Sequence, residues 1–260
     1  MGRDRNVEIF RDTVNLVKTN PILRSEVVAS TKKQEIILET DKVEVPSLNK
    51  YTENVRVIVS KKRSFEAAGT YRGKKVAVLN FASATNPGGG VTRGASAQEE
   101  CLCRCSGLYF SLNVPETWNR FYTPYRKSKN PIHNDDIIYT PSVTVFKTDT
   151  VNPALMPEKD WYKVDIITCA APNLREKPGN IFNSGDGNDR AKISDKELLQ
   201  IHEKRLRRIL DVAIAHENEV VILGAFGCGA FKNIIGLLQD NYNDGYINKY
   251  LKQVWAIDRH

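Results

Sequence analysis

The chain contains no apolar run of about 18 residues, the length a membrane-spanning helix needs. Its opening segment, MGRDRNVEIFRDT, is charged where a secretory leader would be apolar. Position 6 is Asn where myristoylation at Gly2 would call for Ser or Thr. A cytoplasmic protein without a membrane partner is therefore expected. Cysteine is scarce and odd in number: five, of which Cys101, Cys103 and Cys105 crowd together. Reduced thiols fit that count better than a disulfide framework. A C-x-C-x-C run on a helix spreads its thiols over different faces, so buried small residues are expected there and no metal site. The four histidines, His133, His202, His216 and His260, lack the spacings of zinc hydrolases, and no G-x-S-x-G elbow supports serine-hydrolase chemistry. Neither zinc-finger spacing nor an aromatic RNA-binding signature accompanies the net charge of +7, so no sequence-specific nucleic-acid binding is expected. The charge favours polyanionic partners in general.

What remains is an ordinary globular composition, 41% hydrophobic and 27% charged, in a chain of 260 residues. No repeat or linker divides it, so residues 1–260 read as one catalytic domain, with 1–50 as an N-terminal extension packed on it. Val7, Phe10, Val14 and Val17 form a helical stripe over 5–18 that ends before Asn20-Pro21. Strands are expected over 34–39, 55–60, 76–79, 143–146, 164–169, 220–223 and 254–257. Helices are expected over 64–69, over 97–112, from the Ser194–Glu197 capping box to about His216, and over 247–252. On the long helix, Lys204, Arg205, Arg207 and Arg208 read as a solvated face. Residues 114–141, with four prolines among their aromatics, and 174–192, rich in polar residues and glycine, read as loops. Strands alternating with helices point to an α/β fold with a parallel or mixed sheet. In such sheets ligands lie beyond the carboxyl ends of strands, here the loops 80–90, 170–173 and 224–231.

The first of these loops is the most informative. Strand 76–79 breaks into Asn80, Ser83, Thr85 and Asn86, then Pro87-Gly88-Gly89-Gly90. Three glycines suit neither helix nor strand, but they let a backbone approach another group closely and aim N–H groups at it. Gln98-Glu99-Glu100 opens the next helix, so a glycine cradle sits just ahead of a carboxylate pair. Adjacent helical residues diverge by roughly 100° about the axis. The two glutamates are thus expected in unequal roles, one as an acid and the other binding or orienting, rather than as a pair flanking one bond. The loop 224–231, G-x-x-G-x-G, has neither the Rossmann order nor a P-loop lysine. With the first loop it forms two glycine turns at strand ends, one suited to a sugar and one to a pyrophosphate.

The runs LNFASATNPGGGV and GASAQEECLCRCSGLY, with AAPN and GAFGCGAF further on, resemble the microbial-type poly(ADP-ribose) glycohydrolases. Matching features extend from about residue 64 to 257. The resemblance implies a three-layer α/β/α macrodomain with a mixed central sheet and an N-terminal helical extension. It implies hydrolysis of the ribose–ribose O-glycosidic bond in poly(ADP-ribose), with ADP-ribose as product and no cofactor or metal. Carried over by position, Glu100 would be the general acid and Glu99 would bind the leaving ribose. Asn86, Gly88, Gly89 and Gly90, with Val91 and Gln98, would hold ADP-ribose on one side. Gly227, Cys228, Gly229 and Ala230 would contact the diphosphate and Phe231 the distal ribose. Trp255 is a candidate for stacking on adenine. The chain departs from the family at Phe231-Lys232-Asn233, where similar proteins continue Phe-Gly-Asn. Two other functions stay open: hydrolysis of mono-ADP-ribose from protein or nucleic acid or of another ADP-ribose-like nucleotide, and binding of ADP-ribose without catalysis.

Overall fold

The computed structural model describes residues 2–46, 55–181, 183, 185–229, 231, 233 and 253–257, the last five as backbone. Residues Ala230 and Lys232, the side chain of Trp255 and the helix expected over 247–252 lie outside what is described. Seven strands, β1 (Glu35–Ile37), β2 (Arg56–Ser60), β3 (Val76–Phe81), β4 (Ile137–Val145), β5 (Tyr162–Cys169), β6 (Val220–Ile222) and β7 (Gln253–Ile257), form one sheet in the order β1-β4-β5-β3-β6-β7-β2. The two pairings that involve β4 are antiparallel and the rest are parallel, so the expected mixed sheet is present.

The pleat of β3 explains the layering. Val76 and Val78 face one core, while Ala77 and Leu79 face another, as the period-two alternation of a strand requires. On the first side pack α3 (Ser64–Ala68), α4 (Gln98–Cys105) and α5 (Leu108–Leu112) through Phe65, Leu102, Leu108 and Leu112. On the second side packs α8 (Asp195–Ala215) through Leu206, Ile209, Leu210 and Ala213. The result is the three-layer α/β/α arrangement. Among the described residues no helix is long and apolar enough to cross a membrane.

Helix α1 (Arg3–Thr19) is followed directly by α2 (Pro21–Lys32), which the sequence reading did not anticipate. Asn20-Pro21 is both a stop and a start. The Asn20 N–H closes α1 on the Leu16 carbonyl, and its side chain accepts from the N–H groups of Ile22 and Leu23. Pro21 stands at N1, where no N–H is needed. The buried stripe of α1 is also rotated, to Asn6, Phe10, Thr13 and Val17. Asn6 Nδ2 donates to the Gly94 carbonyl (3.0 Å) and Thr13 Oγ1 to the Arg104 carbonyl (2.6 Å). Those two polar residues dock the helix on the segment that carries the cradle and on α4.

Three further expectations are corrected. The helix expected over 97–112 is broken at Ser106, which is extended and bridges Val145 of β4. Its hydroxyl bonds the Leu102 carbonyl at 2.8 Å and receives the Leu108 N–H at 3.2 Å, ending one helix and starting the next. Half of the loop expected over 114–141 is helical, where α6 (Pro115–Thr117), a π turn (Trp118–Tyr122) and α7 (Thr123–Ser128) run on without a gap, and its last residues from Ile137 belong to β4. Pro115 falls in a first turn, where a proline costs no hydrogen bond, and Pro124, second in α7, comes just after the π turn. Its aromatics Phe121, Tyr122 and Tyr125 are core. Finally, Arg205 is not on a solvated face. It is buried, with Nε on Asp135 Oδ1 (2.8 Å) and Nη1 on the Ala170 carbonyl (2.6 Å), because an acid and a carbonyl at the sheet end compensate its charge. Arg208 likewise reaches the carbonyls of Asp135, Asp41 and Leu38.

Candidate active site

Strands β3, β5 and β6 are parallel neighbours, so the loops that leave their carboxyl ends gather on one edge of the sheet. A cavity of about 570 Å³ opens there. Its wall includes Phe81, Ser83, Gly89, Gly90, Glu99, Glu100, Arg175, Asn183 and Phe231. That volume is in the range of small-molecule pockets.

Gly88 and Gly89 take positive φ values of +66° and +56°. A Cβ on Gly89 would lie 2.5 Å from Glu100 Oε1 and 3.0 Å from Glu99 Oε2. The backbone's close approach is therefore to the carboxylate pair itself. Gly90 N donates to Glu100 Oε1 at 2.8 Å, and the Gly88 N–H supports Glu99. Beneath the cradle, a Cβ on Gly88 would crowd Tyr109 and Cys103, so Cys103 serves as a small buried packing residue.

Although their Cα–Cβ bonds fan apart on α4, the glutamates converge on Gly89. Four side-chain bonds are enough to cancel the helical divergence. Their surroundings nonetheless differ. Glu99 Oε2 receives the Ser83 N–H (2.8 Å) and Oε1 receives Asn80 Nδ2 (3.3 Å), while Asn80 also reaches Thr168 Oγ1 (3.2 Å). Glu100 Oε2 is buried and has no hydrogen-bond partner among the described residues. Burial pushes both carboxyl groups above the ordinary range, Glu99 furthest because the Glu100 charge adds to it. A proton on Glu99 would have to displace an N–H donor, whereas one on Glu100 Oε2 displaces nothing. Glu100 Oε2 is thus the carboxyl oxygen of the pair that can take up a proton without losing a donor.

Of the other expected residues, Phe231 lines the cavity with Gly89 and Gly90. Asn86, Gly88, Val91 and Gln98 stand behind the wall. Gln98 is fully engaged: Oε1 receives the Phe81 N–H at 2.9 Å, and Nε2 donates to the Leu79 carbonyl (2.7 Å) and Ser64 Oγ (3.1 Å). It fixes the start of α4 to the end of β3. Asn86 Oδ1 accepts from Arg126 Nη2, and Arg126 Nε holds the Thr85 carbonyl at 2.7 Å. Gly227 has φ +78°, and a Cβ there would meet Asn233 Nδ2 at 2.5 Å and Ala171 at 2.7 Å, so the second turn is pressed against the loop after β5. Cys228 is half-buried in that turn, and Gly229 beside it has open space where a Cβ would be. The turn adjoins the cavity through Phe226, whose ring packs 5.8 Å from that of Phe81.

The stretch read as an exposed loop, 174–192, folds back over the cradle. Asn183 and Asp186 are buried. Ser83 Oγ bonds Asn183 Oδ1 (2.8 Å), Arg93 Nη1 holds the Ile181 carbonyl (2.7 Å), and Asp186 accepts from Asn173 Nδ2 (2.7 Å) and pairs with His133 Nε2 (3.2 Å). Polar composition suggested solvent exposure, but these side chains are buried with partners. Arg126, Arg175 and Asn183 were not singled out from the sequence, and Ser83 was named only as part of the polar break before the cradle. The contacts that Arg126 and Asn183 make with the cradle span tens of residues, and only the Pro-Asn turn at 172–173 and the asparagine-rich run at 180–188 hinted at this side of the site.

The fold agrees closely with solved structures. A poly(ADP-ribose) glycohydrolase from Thermomonospora curvata superposes with a TM-score of 0.80 at 27% identity, over 97% of this chain and 92% of that one. The same enzyme bound to the inhibitor ADP-HPD gives 0.76 at 27% identity, with the same coverage. The poly(ADP-ribose) glycohydrolase of Deinococcus radiodurans in complex with ADP-ribose gives 0.70 at 29% identity, over 90% and 91% of the two chains. A search of curated protein sequences found no match. The family model for the microbial-type PARG catalytic domain matches residues 7–148, from the N-terminal helix through the cradle and the Glu99–Glu100 pair to the end of β4. That match takes in more than half of the sequence and every element that builds the carboxylate side of the cavity, and the chain belongs to the microbial-type PARG family.

Proposed function

We propose that this protein hydrolyses the ribose–ribose O-glycosidic bond of poly(ADP-ribose) and releases ADP-ribose, with Glu100 as general acid. One observation carries the reading: a buried carboxyl oxygen, Glu100 Oε2, has no partner among the described residues, on the wall of a nucleotide-sized cavity. In the reaction Glu100 gives its proton to the leaving ribose oxygen as the C–O bond breaks and the other sugar becomes an oxocarbenium ion. Water adds to that carbon and returns a proton to the Glu100 carboxylate. Glu99, held by Ser83 and Asn80, binds a hydroxyl of the leaving ribose. The turn 227–229 receives the diphosphate, and Phe231 orders the distal ribose.

The test is incubation with purified poly(ADP-ribose) while free ADP-ribose is followed by chromatography. Release of ADP-ribose is expected, and none by a folded wild type would refute the reading. A cytoplasmic location is supported by the five cysteines, all free thiols.

The cradle supplies a second check. In Gly89→Ala the new Cβ would drive into Glu100 Oε1 at a backbone angle costly for an L-residue. Displacing the acid by an ångström is expected to reduce kcat about 100-fold. Thermal unfolding would show that the fold survives, and unchanged kinetics would mean that the glutamates need no support from Gly89.

A further inference from the structure

Two arginines, Arg3 and Arg175, line the cavity, and the reading of it as an ADP-ribose pocket leaves Arg175 without a task. Arg175 follows the Ala170–Asn173 turn at the end of β5 and faces the cavity. Its backbone is held in place: Arg175 N donates to Asn173 Oδ1 (3.3 Å), and the neighbouring Leu174 N donates to the Phe231 carbonyl (2.9 Å). Asn173 is itself buried, tied through its N–H to the Pro131 carbonyl (2.7 Å) and through Nδ2 to Asp186 Oδ2 (2.7 Å). The side chain therefore leaves a rigid base. Among the described residues its half-buried guanidinium has no hydrogen-bond or ion-pair partner. Arg126 and Arg205, by contrast, are spent on backbone carbonyls and on Asn86 or Asp135. Neither acid on the same wall is ion-paired with it: Glu99 accepts from Ser83 N and Asn80 Nδ2, and Glu100 accepts from Gly90 N through Oε1 while its Oε2 has no partner among the described residues.

Its position selects a ligand group. Through Leu174 and Phe231, Arg175 is moored to the end of the turn after β6, the turn that would meet the diphosphate, and not to the cradle that holds the carboxylates. A guanidinium presents paired N–H donors that match two phosphate oxygens at once. We propose that Arg175 is a specificity-determining residue that clasps the diphosphate of the ligand and distinguishes ADP-ribose units from uncharged sugars or nucleosides. The inference rests on the ADP-ribose reading above and adds to it a side chain that motif comparison did not assign.

The test is calorimetric titration of wild type, Arg175→Gln and Arg175→Lys with ADP-ribose at low and at raised salt. For Arg175→Gln, loss of a charge-assisted pair is expected to weaken binding at least about tenfold and to flatten the dependence on salt. Arg175→Lys keeps the charge without the fork and should recover part of the affinity. All three proteins should unfold at the same temperature without ligand. Arg175→Gln binding within twofold of wild type would overturn the assignment, and so would a loss of affinity that leaves the salt dependence intact. A wild type that neither binds ADP-ribose nor releases it from polymer would instead refute the enzymatic reading.

Discussion

Glu100→Gln is expected to lower kcat on poly(ADP-ribose) by about 10²- to 10⁴-fold, the usual worth of a positioned general acid. Binding of ADP-ribose should persist, because the amide oxygen of Gln can still accept the Gly90 N–H that Glu100 Oε1 accepts now. The pH profile should carry the same signature. Burial raises the Glu100 carboxyl above its ordinary range, so the proton needed by the leaving oxygen is present below that raised value and lost above it. The wild-type rate should therefore fall on the alkaline side with an apparent pKa above the ordinary glutamate value of about 4.3.

Stability should move the opposite way. A carboxyl whose pKa is raised in the folded state favours folding at low pH, and that contribution is lost as pH rises from the ordinary to the raised value. At neutral pH the wild type carries this penalty and Glu100→Gln does not. The variant should melt at or above the wild-type temperature, as expected where catalysis maintains a buried carboxyl that costs stability. Glu99→Gln should differ, because one of its groups would become an NH2 facing the Ser83 or Asn80 donor. A Glu100→Gln enzyme with wild-type kcat would remove Glu100 from the acid's role.

Arg205→Leu is expected to lose about 3–5 kcal/mol of stability, the cost of breaking a buried ion pair from one side. Three connections go at once: the bond to Asp135 Oδ1, the 2.6 Å bond to the Ala170 carbonyl and the longer contacts with the Ile132 and His133 carbonyls. Together these fasten α8 to the loop after β5, from which Arg175 reaches the cavity. Burial pulls the Asp135 carboxyl upward, but Arg205 and Lys204 outweigh it and hold it below its ordinary range. Its favourable contribution is thus present above the ordinary aspartate value and fades as pH falls toward the lowered one. Urea unfolding should show the deficit of the variant at neutral pH and a smaller one in acid. A deficit under about 1 kcal/mol would mean that Arg205 is no more than a surface pair.

All seven expected strands are present because each advertised itself locally. Runs such as VAVLNF and VDIITC are apolar and β-branched, and a buried strand needs little more than that. The capping box at Ser194 marked the start of α8 for the same reason, since cap and partner lie within one turn. Helix α2 and the helical run 115–128 were missed where Pro21 and Pro115 serve as first-turn residues, which local reading cannot distinguish from breakers. Arg205 was misplaced because a helical wheel does not say that an aspartate and a carbonyl await it 70 and 35 residues away.

The site divides along the same line. From the sequence alone come the glycine triplet, the Gln-Glu-Glu that follows it and the second glycine turn, since each is a contiguous motif whose chemistry depends on residue type and spacing. Motif comparison then supplied the family and the choice of Glu100. The tertiary structure decided what those residues do to each other. The glycines bend toward the glutamates, the glutamates converge where helical divergence had set them apart, and a segment that looks solvent-exposed covers the cradle. These are outcomes of side-chain reach and of the need to partner every buried donor and acceptor. Neither is written in any window short enough to read along the chain.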